Sequence, residues 1–140
     1  MYLISAYFDE NTNKILKHLQ QRIADKTGND FMIRNNVMPH LTISAIEARN
    51  IDVLIPEFEK VCRGKLQPLE EKSVANNTIN IVSLGQLFPR VIYAAPVLNE
   101  YMMNLSISIY NEFATIPETN ISKFYQPYSW MPHITLGKCL

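Results

Sequence analysis

The sequence predicts an α+β fold made of two related lobes within a single domain. Three observations carry that expectation. Short β-favouring runs alternate with segments of helical periodicity, one order of elements occurs twice, and each copy ends in the same Pro-His-apolar-Thr-apolar pentapeptide. At 140 residues the chain is long enough for one domain with a hydrophobic core and short for two. Its 47% hydrophobic and 19% charged residues match a globular protein rather than a disordered one.

The first copy opens with Tyr2–Phe8, an apolar run expected to form a buried strand. Asp9 or Asn11 then caps a helix to about Lys26, with Ile15, Leu16, Leu19 and Ile23 as its apolar stripe. Gly28 is placed to end that helix in the left-handed conformation. The polar stretch 29–36 reads as a loop into Pro39-His40-Leu41-Thr42-Ile43-Ser44, which alternates like a strand. A second helix is expected from Asn50 or Asp52 to about Arg63, burying Val53, Leu54, Phe58, Val61 and Cys62. Pro56 fits only its first turn, and Gly64 is placed to terminate it.

Strands are expected over Leu66–Ala75 and Thr78–Leu84, joined by an Asn76-Asn77 turn. Arg90–Ala95 reads as the strand that opens the second copy. After Pro96, a long helix to about Phe113 buries Leu98, Tyr101, Met102, Leu105 and Ile109. A loop rich in aromatics and prolines, Pro117–Met131, precedes the last strand, Pro132–Cys139. The histidine follows its leading strand at a similar distance in both copies, from residue 8 to 40 and from residue 95 to 133. Equal order and similar spacing imply two lobes that face each other.

The repeated pentapeptide carries the chemistry. On a strand, residues two apart share a face. His40 and Thr42 therefore project together, roughly 6.6 Å apart, while Leu41 and Ile43 anchor the opposite face in a core. His133 and Thr135 repeat the arrangement over Ile134 and Leu136. Two such strands related by a pseudo-twofold aim two imidazoles and two hydroxyls into one cleft, a set suited to a phosphodiester. One histidine takes a proton from the nucleophile and the other gives one to the leaving oxygen. The threonine hydroxyls donate to the non-bridging oxygens as charge shifts. The third histidine of the chain, His18, lies mid-helix and reads as structural or solvent-facing.

Composition narrows the alternatives. The charges balance at 13 basic and 13 acidic residues, so no broad basic surface exists for long nucleic acid, and any phosphate ligand is small or gripped locally. His-x-Thr supplies one good metal ligand per strand with no carboxylate or thiol at ligand spacing, so no metal site is expected. Cys62 and Cys139 form no CxxC pair and read as reduced bystanders. The amino terminus lacks signal-peptide features and no apolar run reaches the roughly 20 residues that span a bilayer. The expectation is a cytoplasmic protein with no membrane partner.

His-Leu-Thr-Ile at 40–43 and His-Ile-Thr-Leu at 133–136 resemble the paired His-hydrophobic-Thr/Ser-hydrophobic motifs of the two-histidine (2H) phosphoesterase superfamily. That group includes the 2′-5′ RNA ligase-like proteins, also described as RNA 2′,3′-cyclic phosphodiesterases. The stretch Phe88-Pro89-Arg90-Val91-Ile92-Tyr93, followed by an amphipathic helix and the second motif, is similar to the same group, and the likeness runs from Tyr2 to the end. It implies two pseudo-symmetric lobes, each an antiparallel sheet with helices outside, around a central cleft. It also implies His40 and His133 as catalytic residues, Thr42 and Thr135 as phosphate-binding residues, and no cofactor. Relatives usually continue past the second motif with further helix and strand. This chain ends at Leu140, so its carboxyl-terminal elements are expected to be shortened or missing.

The expected activity is hydrolysis of a 2′,3′-cyclic phosphate on an RNA end or a small nucleotide, with His133 as base and His40 as acid. A 2′-5′ ligase or 2′-5′ phosphodiesterase, action on a non-RNA cyclic phosphate, and a non-catalytic nucleotide-binding module remain alternatives. Phe124, Tyr125, Tyr128 and Trp130 cluster before the second motif, and of these Tyr128 and Trp130 are best placed to stack on a base. Arg34 and Arg90 are candidates for phosphate contact, although solvated surface arginine is the default.

Overall fold

Asp9 decides where the first strand gives way to the first helix. In the computed structural model, which describes residues 1–65 and 78–139, strand β1 spans Tyr2–Tyr7 and helix α1 spans Glu10–Thr27. The Asp9 carboxylate accepts from the Thr12 backbone N–H at 2.9 Å and from the Thr12 hydroxyl at 2.7 Å. These bonds satisfy an amide that the first helical turn leaves open. They favour the ionised acid, so hydrogen bonding from Thr12 holds the Asp9 carboxyl below its usual 3.8. At the other end Gly28 adopts φ 73° and donates its N–H to the Ala24 carbonyl.

The expected loop over 29–36 contains a short helix, α2 (Phe31–Arg34), held down by the buried Met32. Strand β2 covers His40–Glu47, and a single 3₁₀ turn at Ile51–Val53 leads into α3 (Ile55–Lys65). Pro56 thus falls in the first turn, as its missing N–H requires. The helix passes through Gly64 instead of ending there. The expected strand Leu66–Ala75 and the Asn76-Asn77 turn lie outside the described residues. Strand β3 occupies Ile81–Leu87, later than expected, and a tight turn delivers the chain to β4 (Val91–Pro96). Helix α4 (Glu100–Phe113) is capped by the Asn99 side chain, which accepts from the Met102 N–H at 3.0 Å. A two-residue strand, β5 (Asn120–Ile121), and a 3₁₀ turn at Lys123–Tyr125 interrupt the aromatic loop before β6 (Ile134–Lys138).

The result is an α+β fold with four helices and two antiparallel three-stranded sheets among the described residues. The strand orders are β1-β2-β5 and β3-β4-β6. The chain divides into two compact units that are not the two sequence copies. One unit comprises residues 5–42, 81–97 and 132–140; the other comprises 1–4, 43–80 and 98–131. Strands β1 and β2 run through both, which is why the boundaries cut them after Ile4 and Thr42. Each unit therefore draws on both copies: α1 shares a unit with the end of its leading strand β1, whereas α4 belongs to a different unit from its leading strand β4.

In the unit of residues 5–42, 81–97 and 132–140, α1 and α2 pack on β6 of the β3-β4-β6 sheet. The buried face of α1 is Leu16, Gln20 and Ala24, spaced four apart. This rotates the expected stripe and leaves Ile15 exposed. The cause is Gln20, whose side-chain amide reaches the Thr135 carbonyl at 3.4 Å and so satisfies a polar group inside the core. Hydrophobic periodicity alone does not count a glutamine as core.

In the unit of residues 1–4, 43–80 and 98–131, α3 packs on α4, with Met102, Leu105, Ile109 and Phe113 buried on the latter. Burial here rests on Val61 of α3 and on Leu54 just before it, while Val53 in the 3₁₀ turn and Phe58 are exposed. Leu98 precedes the Asn99 cap and is likewise exposed. Lys60 on α3 bridges Glu57 and Glu112 at 2.7 and 3.4 Å, a surface network that contributes little to stability. No helix among the described residues is long and apolar enough to cross a membrane.

Candidate active site

Both His-x-Thr segments take the alternation their sequence implies. Pro39, Leu41 and Ile43 are buried while His40 and Thr42 are half-exposed. Pro132, Ile134 and Leu136 are buried while His133 and Thr135 are half-exposed. The apolar members are deep anchors, with Leu41 at 1% and Ile134 at 0% relative exposure. Burying each of those side chains stabilises the fold by about 1.5–3 kcal/mol, which fixes the register of the strand and hence the direction of its histidine. His40, Thr42, His133 and Thr135 all belong to the same compact unit.

The imidazole of His40 is oriented from behind. Its Nδ1 lies 2.8 Å from the Met38 carbonyl oxygen. A carbonyl only accepts, so Nδ1 carries the hydrogen and donates it. This leaves Nε2 as the atom that exchanges protons. The ring also lies 5.9 Å from that of Tyr7, at the end of β1. Two positions earlier on β1, the Ser5 hydroxyl is 3.4 Å from the Thr42 hydroxyl. Ser5 and Tyr7 share one face of β1, as His40 and Thr42 share one face of β2.

His133 is oriented by an aromatic edge. The Tyr93 ring meets it at 5.7 Å with an interplanar angle of 67°, the edge-on arrangement aromatic pairs favour. Tyr93 is opposite Thr135 on β6 and opposite Gly85 on β3. A Cβ on Gly85 would sit 2.5 Å from the Tyr93 hydroxyl oxygen and ring. Glycine at 85 is thus the vacancy into which the tyrosine leans. Sequence reasoning missed Ser5, Tyr7, Tyr93 and Gly85; the signal for the first two was the period-2 spacing on the leading strand.

The remaining candidates are placed elsewhere. Arg34 ends α2, is exposed, and lines a shallow depression with Asp30, Lys138 and Cys139. Arg90 lies in the turn before β4 rather than opening that strand, and its carbonyl accepts from the Cys139 N–H at 2.8 Å. Both therefore sit at the Lys138 end of β6. At about 3.3 Å per residue that is roughly 16 Å along the strand from His133. Trp130 is only 6% exposed and presents no open face, so it serves as packing. Tyr128 is exposed, and both aromatics belong to the unit of residues 1–4, 43–80 and 98–131. His18 is exposed on α1, as expected. Among the described residues no three His, Cys, Asp or Glu side chains are grouped to hold a metal ion.

The sequence matches no protein-family model and no curated protein.

Proposed function

We propose that the protein is a metal-independent phosphodiesterase that hydrolyses 2′,3′-cyclic phosphates on RNA ends or small nucleotides. The observation that carries this reading is the twofold occurrence of one arrangement. Two histidines, each two residues before a threonine on the same half-exposed face, belong to one compact unit. His133 takes a proton from water as its oxygen attacks phosphorus. The phosphorus–oxygen bond to one ribose hydroxyl breaks, and Nε2–H of His40 protonates the departing oxygen, giving a phosphomonoester. Thr42 and Thr135 donate to the non-bridging oxygens, where negative charge gathers. The Nδ1–H bond of His40 to the Met38 carbonyl keeps Nε2 as the reactive nitrogen in both protonation states.

The test is turnover of a panel of 2′,3′-cyclic nucleotides and a cyclic-phosphate-ended oligoribonucleotide in EDTA. The wild type is compared with His40→Ala and His133→Ala, each shown to be folded. General acid–base groups supply about 10²–10⁴-fold, so each variant is expected to lose at least about 100-fold. The pH–rate profile is expected to be bell-shaped, its limbs belonging to the coupled pair. Turnover abolished by EDTA, or a folded wild type that turns over none of these substrates, rejects the proposal.

A further inference from the structure

Packing asks little of Ser5. Its strand, β1, lies at a sheet edge among the described residues, and Leu3 and Tyr7, on the same face of that strand, are exposed. Ser5 itself is half-exposed, yet its hydroxyl lies 3.4 Å from that of Thr42 across the β1-β2 pair. Ser5, Tyr7, His40 and Thr42 all belong to the compact unit of residues 5–42, 81–97 and 132–140. The second copy is built differently. There the residue opposite Thr135 is Tyr93, whose ring leans over Gly85. One motif threonine thus has a serine hydroxyl beside it, and the other has a wedged tyrosine.

Acid–base chemistry gives the hydroxyl pair a direction. Each hydroxyl has one hydrogen to donate and two lone pairs that accept, and in the free protein either can be the donor. A phosphate oxygen only accepts. Once Thr42 gives its hydrogen to such an oxygen, its Oγ1 is left to accept, and Ser5 becomes the donor. The chain from Ser5 through Thr42 to phosphate then runs one way, and each bond strengthens the next by about 10–30%. Thr42 is β-branched, so its χ1 is already narrow and the hydroxyl rotor is what needs fixing. At 3.4 Å the pair is longer than the about 2.7–2.8 Å of a settled O–H···O bond, as befits a contact that tightens when its ligand arrives. We propose that Ser5 is a positioning residue, donating to Thr42 Oγ1 and turning the Thr42 hydrogen toward a bound phosphate. The inference deepens the phosphodiesterase reading and rests on it for the identity of the natural phosphate ligand.

The test compares the wild type with Ser5→Ala and Ser5→Thr, both of which a half-exposed edge position tolerates. Inorganic phosphate is titrated into the full chain while the methyl resonances of Thr42 and Thr135 are followed by NMR. In parallel, kcat and KM are measured on a 2′,3′-cyclic nucleotide. Ser5→Ala is expected to weaken phosphate binding about three- to tenfold, the size of one net hydrogen bond. It is expected to lower kcat by a similar factor with KM changed less than about twofold, because negative charge gathers on the non-bridging oxygens in the transition state. Ser5→Thr keeps the hydroxyl and is expected to restore both, which a merely structural role would not require. No saturable shift at Thr42 in the wild type, unchanged phosphate affinity in folded Ser5→Ala, or equal losses in Ser5→Ala and Ser5→Thr overturns the proposal. Ser5-dependent phosphate binding without turnover of cyclic phosphates would reject the phosphodiesterase alone. Turnover indifferent to Ser5→Ala would reject the positioning role alone.

Discussion

The two copies of the Pro-His-apolar-Thr-apolar segment carry the same burial pattern in sheets of opposite plan. In the first sheet the motif strand β2 is central, and its leading strand β1 is at an edge among the described residues. In the second, among the same residues, the leading strand β4 is central and the motif strand β6 is at the edge. The inversion sets which ring stands beside each histidine. Tyr7, on the edge strand, is 66% exposed, and beside it the His40 ring bonds the Met38 carbonyl. Tyr93, on a central strand, is half-buried and wedged over Gly85, so it braces His133 by packing. Identical local sequence fixes which way an imidazole points, and the neighbouring strand decides which tyrosine stands beside it.

The largest effects test the likeness. Leu41→Ala and Ile134→Ala each remove a fully buried anchor and are expected to cost about 2–5 kcal/mol in urea denaturation. Comparable losses support equivalent anchoring. A loss below about 1 kcal/mol at either site would show that its strand is held by something other than this side chain.

Gly85→Ala tests the difference. The added methyl must displace the Tyr93 ring, and overpacking of this kind costs about 1–3 kcal/mol. The imidazole resonances of His133 are expected to move, while those of His40 keep their positions and an Nδ1–H tautomer. Movement of both histidines would mean that they are restrained as one assembly.

Tyr7→Ala is the complementary change. It removes an exposed ring whose contact contributes under about 1 kcal/mol. It is expected to perturb His40 alone, with little change in melting temperature.

The smallest effect lies in the caps. The helix after each leading strand is capped by an acid in the first copy, Asp9, and by a neutral amide in the second, Asn99. Because Thr12 lowers the Asp9 pKa, the stabilisation is fully present above the unfolded value of 3.8 and is lost as pH falls through the lower folded value. Asp9→Ala is therefore expected to lower the melting temperature at pH 7, by a deficit that shrinks as the pH falls below 3.8. Asn99→Ala is expected to lower it on both sides of that pH. A pH-independent deficit for Asp9→Ala would assign its role to geometry rather than charge.

Much of this was legible in the residues. Period-2 alternation gave the half-exposed faces of both motifs, and Asp9 and Gly28 marked the ends of α1 because capping is local chemistry. Three features resisted for physical reasons. Gln20 reads as surface until a backbone carbonyl from β6 is beside it. Tyr2–Phe8 reads as a buried strand because its residues are apolar, whereas exposure at Leu3 and Tyr7 follows from an edge position that no local pattern encodes. Trp130 and Tyr128 are two residues apart in one aromatic run, yet the first is core and the second is exposed. Their separation depends on a left-handed residue that composition gives no reason to expect.

The bond from Gln20 to the Thr135 carbonyl spans 115 residues of sequence. During synthesis at roughly 5–20 residues per second, that interval takes on the order of 10 s. Helix α1 is translated with both caps in hand, and α2 follows at once to pack on it, but the β6 carbonyl that Gln20 meets comes last. His40 follows it out of the ribosome long before its counterpart exists. Arrival of β6 covers the waiting helix and delivers His133 in one step, so a nascent chain acquires its second histidine only when it gains the strand that completes the first helix's packing.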